Sequence, residues 1–113
     1  MSSGSAALVA SLHALEVPYG SDVLMPAICC PAVMFAIQFA GHNPILMDAD
    51  ISNFNSGVEE ASRAITDRTK AIVAVHGYGR ACQITQFEDF ARESNLSLIE
   101  DACLAYGNSI EGR

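Results

Sequence analysis

The residues best placed for chemistry lie in Leu96–Gly107, where the apolar residues Leu96, Leu98 and Ile99 lead into two consecutive acids, Glu100 and Asp101. The apolar run predicts a short buried strand, and Ala102 and Cys103 after the acids are small enough for a close turn. In open α/β sheets ligands bind beyond the carboxyl ends of the strands. An acid delivered there meets a cationic nitrogen, although a turn-capping or solvated carboxylate is the commoner fate of such a residue. A second candidate is Ser3-Gly4-Ser5-Ala6-Ala7 at the predicted start of a helix. Unpaired first-turn amides and the helix dipole favour an anion, and glycine lets a phosphate come close. Taken alone, these residues more often make an ordinary serine cap.

Two further groups carry less. His76 opens His76-Gly77-Tyr78-Gly79 after the strongest strand pattern, Lys70–Val75. It could contact a ligand at the strand ends, but a ring satisfied by backbone hydrogen bonds is the expected role, and no chemistry is assigned to it. Asp48, Asp50, Glu100 and Asp101 are acids at strand ends that could gather Mg²⁺. A phosphoacceptor domain would add a lysine at the end of a later strand, whereas the sole lysine here, Lys70, opens one. No metal site and no catalytic residue follow from these patterns.

The elements that position the candidates can be read in order. Ala6, Ala7, Leu8, Val9, Leu12 and Leu15 form an apolar stripe at helical spacing within residues 1–15, behind a cluster of serines. Val23–Met25 is a brief strand ended by Pro26, and Pro31 opens a helix that Gly41 closes. Ile45–Met47 is a strand, and Ser56 predicts the cap of a helix to Ile65, with Glu59 completing a capping box. Lys70–Val75 is apolar on both faces, as in a central parallel strand. Ile84–Glu93 is an amphipathic helix and Leu96–Ile99 the last strand. Helix and strand alternate throughout, which implies parallel strands joined by right-handed crossovers. The expected fold is α/β, a three-layer α/β/α sandwich with a mostly parallel sheet of about four strands. The chain is expected to be a single unit over residues 1–113 that begins in mid-fold, since no strand precedes the first helix.

Composition narrows the function classes. Of 113 residues, 50% are hydrophobic and 17% charged, enough for a packed core. A net charge of -7 leaves no basic stripe for nucleic acid. The longest apolar run, near Met34–Ala40, is too short to span a bilayer. Cys29, Cys30, Cys82 and Cys103 follow no zinc spacing, and free thiols point to a cytoplasmic chain without nucleic-acid or membrane partners.

Several of these stretches together resemble the DegT–StrS family of pyridoxal-phosphate sugar aminotransferases. The matching residues are Gly4-Ser5-Ala6-Ala7-Leu8, Asp22 to Pro26, Phe39-Ala40-Gly41, Pro44 to Asp50, Thr66 to Val75, His76 to Gly79, and Glu100-Asp101-Ala102. The resemblance runs from Ser3 to Arg113. It implies that the chain is the amino-terminal part of the large domain of that fold and that its cofactor is pyridoxal 5′-phosphate. By the same resemblance Gly4, Ser5 and Ala6 would hold the cofactor's phosphate, and Asp101 would pair with its protonated ring nitrogen.

The chain also departs from the family pattern. Where the family stacks an aromatic ring on the cofactor, this chain has Cys30, which offers little stacking area. Leu104 stands for a glutamine and Tyr106 for a histidine. The Schiff-base lysine lies downstream of the glycine–arginine pair that resembles Gly112-Arg113, and Lys70 begins a strand at the wrong end of the sheet. The resemblance therefore implies a fragment that is inactive alone, or active with a separately encoded remainder. A non-catalytic α/β binding or interaction module that has lost the cofactor is the alternative. A family sheet reduced to four strands would leave an apolar edge uncovered, so a homo-oligomer burying that edge is expected.

Overall fold

The computed structural model describes residues 3–109 and 112; Met1, Ser2, Ile110, Glu111 and Arg113, the last being the arginine of the Gly112-Arg113 pair, lie outside them. Helix α1 spans Gly4–Ala14, with Ser3 as its extended N-cap; the Ser3 hydroxyl accepts from the Ala6 amide at 3.1 Å. Strand β1 is Asp22–Pro26, buried throughout. Helix α2, Pro31–Phe39, carries Pro31 in its first turn, where a missing N–H costs nothing. It stops at Gly41, whose φ of 89° is closed to side chains and whose amide reaches Gln38 O. Strand β2 is Asn43–Met47, helix α3 Val58–Ala64 and strand β3 Thr69–Val75. Helix α4 is Ile84–Glu93 and strand β4 Ser97–Asp101.

The four strands form one parallel sheet in the order β2-β1-β3-β4. On one face Leu8 and Leu12 of α1 and Val33 and Ile37 of α2 pack against Val23, Met25, Val73 and Val75. On the other, Ala61 of α3 and Ile84, Phe87 and Ala91 of α4 cover Leu24, Met47, Ile72 and Ala74. The fold is thus the three-layer α/β/α arrangement expected from the alternation of elements. Leu12, Leu24, Ile37, Met47, Ile72 and Phe87 are almost wholly buried, each contributing roughly 1.5–3 kcal/mol of transfer free energy.

Asp22 fastens the amino-terminal end of the sheet. Its carboxylate accepts from the Thr66 hydroxyl at 2.7 Å and the Asn43 side-chain amide at 3.2 Å, with Arg68 at 3.7 Å. The Thr66 hydroxyl, aided by Asn43 and Arg68 and opposed by burial, holds this carboxyl below its ordinary pKa.

Three local expectations are corrected. Ser56 does not cap α3: its hydroxyl donates to the Asp48 carbonyl at 2.6 Å, and Gly57 takes the cap position. Glu60, not Glu59, closes the capping box by accepting from the Gly57 amide at 2.9 Å. Strand β4 continues past Ile99 to include Glu100 and Asp101, and as an edge strand it is half-buried instead of fully buried.

Candidate functional site

From β1 the chain leaves toward the α1–α2 layer, and from its neighbour β3 toward the α4 layer. Between two such departures an open sheet leaves a crevice at the carboxyl ends of its strands. Strand alternation decides which side chains meet it. Val73, Val75 and Ile99 face α1 and α2, so Asp101, two residues beyond Ile99 and paired with Val75, shares that side. Ile72, Ala74 and Leu98 face the other layer, and His76 and Glu100 follow them there.

A cavity of about 260 Å³ opens on the α1 side, lined in part by Gly4, Ser5, Cys30, Val75, Asp101 and Leu104. At one end is the start of α1. The Ala6 amide is taken by the Ser3 hydroxyl, while the amides of Gly4 and Ser5 precede any helical carbonyl that could accept them. At the other end Asp101 Oδ1 accepts from the Cys103 amide at 3.0 Å, and the Asp101 carbonyl accepts from the His76 amide at 3.0 Å. Only one turn separates the two ends: a Cβ on Gly4 would sit 3.5 Å from Cys103 Sγ. A shallower groove of about 160 Å³ continues along α1 and β4, past both Glu100 and Asp101.

The structure therefore brings Gly4, Ser5 and Asp101 into one cavity. Ala6 lies one step away, in an open apolar groove between α1 and α2 with Phe35 and Phe39. Asp48 and Asp50 stand at the opposite edge of the sheet from Glu100 and Asp101, and Asp50 Oδ1 is occupied by the Ser52 amide and hydroxyl at 2.7 Å each. Among the described residues no group of three or more His, Cys, Asp or Glu could hold a metal ion. Lys70 is exposed near the start of β3, at the far end from the cavity.

Thiols crowd the carboxylate. The Asp101 carboxylate beside the Cys103 thiol pushes that thiol's pKa up. Burial drives Cys29 up to about 11, with Cys30 and Asp101 adding to the effect. Cys82, on the other side of the sheet, is pushed to about 11 by burial and then by Glu100.

Sequence reasoning missed the arrangement of His76. Its buried ring is satisfied only partly by backbone: Nδ1 accepts from the Cys82 amide at 3.0 Å, and Nε2 lies 2.7 Å from Glu100 Oε1. Because Nδ1 is an acceptor, Nε2 carries the hydrogen and donates it to Glu100. The ring and Glu100 line a second cavity of about 270 Å³ with Ile84, Ala105 and Asn108. No spacing rule predicts this pair; the register of β4 on β3 makes it.

The donor set fits a ligand that carries both an anion and a cation: open amides and a hydroxyl on α1, a carboxylate on β4, and apolar Leu8, Val33 and Val75 elsewhere on the lining. At about 260 Å³ the cavity is slightly smaller than the roughly 300–1,000 Å³ of typical small-molecule sites. The model of the DegT/DnrJ/EryC1/StrS aminotransferase family matches residues 1–113. The chain belongs to that family. It is 35% identical to the GDP-perosamine synthase of Escherichia coli O157:H7 over 113 residues, all of this chain and 31% of that protein. With the dTDP-4-dehydro-2,3,6-trideoxy-D-glucose 4-aminotransferase of Saccharopolyspora spinosa it shares 37% over 112 residues, 99% of this chain and 29% of that one. The crystal structure of NtdA from Bacillus subtilis with bound cofactor PMP superposes with a TM-score of 0.91 at 34% identity, covering 98% of this chain and 26% of NtdA. The chain thus spans about three tenths of the length of the family members it matches.

Proposed function

We propose that this chain forms the phosphate- and pyridine-facing wall of a pyridoxal 5′-phosphate site in an aminotransferase acting on nucleotide-linked sugars. The observation that carries the reading is that Ser5 and Asp101 share one cavity at the carboxyl ends of the strands. The named relatives act on GDP- and dTDP-linked sugars, and the PMP of NtdA is the aminated form of the same cofactor. In this reading the Gly4 and Ser5 amides and the Ser5 hydroxyl bind the phosphate, with the α1 dipole behind them. Asp101 accepts a hydrogen bond from the ring nitrogen and keeps a proton on it. Leu8, Val33 and Val75 exclude water from the space between. The bound cofactor supplies an electron sink.

Covalent attachment needs a desolvated lysine amine beside the cofactor. Lys70 is exposed at the other end of the sheet, so the chain by itself is silent in catalysis and a further segment or chain supplies the amine. The four free cysteines suit a reducing cytoplasm.

Titration with pyridoxal 5′-phosphate, followed by absorbance, tests the reading. Saturable binding is expected, and Asp101→Ala should weaken it about tenfold to a hundredfold, the effect of losing one hydrogen bond to a charged group. A second reading, a binding or interaction module that has lost the cofactor, is favoured by Cys30 and Leu104 on the cavity where a stacking ring and a polar contact would serve a bound ring. No saturable binding by the unaltered protein would leave that second reading in place. Transaminase turnover by this chain alone would refute the role given to the absent lysine.

In either case the exposed Phe35 and Phe39 and the edge strands β2 and β4 call for a covering partner, a second copy of the chain or a separately encoded remainder. Sedimentation should give a dimer or larger species for the chain alone. A well-folded dilute monomer would count against self-association.

A further inference from the structure

We propose that the buried His76 ring sorts the two consecutive acids at the end of β4, tying Glu100 back toward the α4 side so that, of the two, Asp101 lines the cavity that holds Gly4 and Ser5. His76 is then a positioning residue for the cofactor-facing carboxylate. The proposal rests on the cofactor reading given above.

Two adjacent carboxylates at a strand end present a problem of choice. They point to opposite faces, and a slip of one residue exchanges them. Strand β4 is poorly protected against such a slip. It lies at the edge of the sheet, pairs among the described residues only with β3, and its register ends at Val75 opposite Asp101. The chain then enters turns. The start of α1 adds a bias of its own, because its open amides attract any nearby anion. A loose Glu100 would compete with the phosphate for that place.

His76 answers both difficulties from one position. Its amide donates to the Asp101 carbonyl at 3.0 Å, extending the ladder one step beyond the strand. Its ring is held at Nδ1 by the Cys82 amide, so Nε2–H has one direction available, and at 2.7 Å it meets Glu100. The ring is almost fully buried, whereas the Glu100 side chain is 50% exposed. The rigid partner is therefore the histidine, and the acid is the part being placed. With Glu100 anchored behind, alternation turns Asp101 forward, where the Cys103 amide fixes its Oδ1 at 3.0 Å. Of the titratable groups around the pair, the Cys82 thiol feels Glu100 from the same side of the sheet, and Asp101 follows Glu100 on the opposite face.

The lock is testable without any cofactor. Glu100 is half exposed, so Glu100→Ala leaves the core intact, and Glu100→Gln can still accept from Nε2. Amide hydrogen exchange read by NMR should show the Cys103 amide exchanging about tenfold faster or more in Glu100→Ala. The Val73 amide should be unchanged, and Glu100→Gln should match the unaltered protein. In parallel, affinities are measured for pyridoxal 5′-phosphate and for its 1-deaza analogue, which lacks the ring nitrogen. Glu100→Ala should erase most of the preference for the former, and Glu100→Gln should restore it. An unchanged Cys103 exchange rate in Glu100→Ala, or an equal loss of affinity for both ligands, would overturn the proposal. If the unaltered protein binds neither ligand, the cofactor reading fails, and the exchange experiment alone still decides whether the lock exists.

Discussion

Asp22 and Asp101 are both carboxylates at strand ends, and their surroundings give them opposite tasks. Asp22 is buried and receives Thr66, Asn43 and Arg68, so its charge is used up in joining β1, β2 and the turn before β3. Asp101 receives the Cys103 amide and lines a cavity, leaving acceptor capacity for a ligand. Replacing Asp22 by asparagine should therefore cost stability, about 2 kcal/mol for a hydrogen-bonded charge, measured by urea unfolding. Its folded pKa is lowered, so its contribution is fully present above the unfolded value of about 3.9 and is lost as pH falls through the folded value. Asp22→Asn should flatten that acid limb of the stability curve. The meeting of Asp101 with Gly4 and Ser5 in one cavity was legible because their types and spacing fit a known pattern. The partnership of His76 with Glu100 was not, since it joins residues 24 apart through strand register.

At the scale of the element, legibility followed how strongly a side chain's chemistry was committed to its own segment. Helix α4 reads directly off the sequence because Ile84, Phe87 and Ala91 form its buried stripe at helical spacing. Helix α3 begins one residue later than its sequence suggests because Ser56, the better cap by type, spends its hydroxyl on the Asp48 carbonyl and leaves the cap to Gly57. Strand β4 extends over two acids because ladder hydrogen bonds to β3 are indifferent to side-chain polarity at an open edge. The capping correction is directly testable. Glu60→Ala should destabilise the protein by about 1 kcal/mol through loss of the bond to the Gly57 amide. Glu59→Ala should cost about 0.5 kcal/mol or less, because its partner Arg63 is an exposed ion pair. Equal effects in thermal or urea melts would contradict the assignment of Glu60.

The molecule as a whole carries an acid-sensitive point remote from the cavity. His42, after the α2 turn, is buried, and among the described residues its Nδ1 has no hydrogen-bond partner. Burial, helped by the nearby His13 and opposed by the Pro18 carbonyl, pushes its pKa down. A histidine lowered on folding binds its proton more readily in the unfolded chain. Stability should therefore be complete above the unfolded value of about 6.5 and decline as pH falls from there toward the folded value. Urea midpoints followed from about pH 7.5 to about pH 5 should show this decline in the natural protein and lose it in His42→Asn. The window lies well above that of Asp22, so the two effects separate. Fold class was readable at this scale because helix and strand alternate; strand order was not, because the spacing of segments does not say which strands become neighbours.

The place of β1 between β2 and β3 has a bearing on how the chain is made. Asp22 finds one neighbour in Asn43 but the other only at Thr69, and α3 must be threaded across before that second neighbour arrives. During vectorial synthesis on a ribosome, Val23 and Leu24 would emerge early and stay half-covered until residues near Ile72 have left the exit tunnel. Nascent chains stalled before that point should engage holdase chaperones, and those stalled beyond it should release them. The same long wait places the closing of the sheet's centre late and makes it slow.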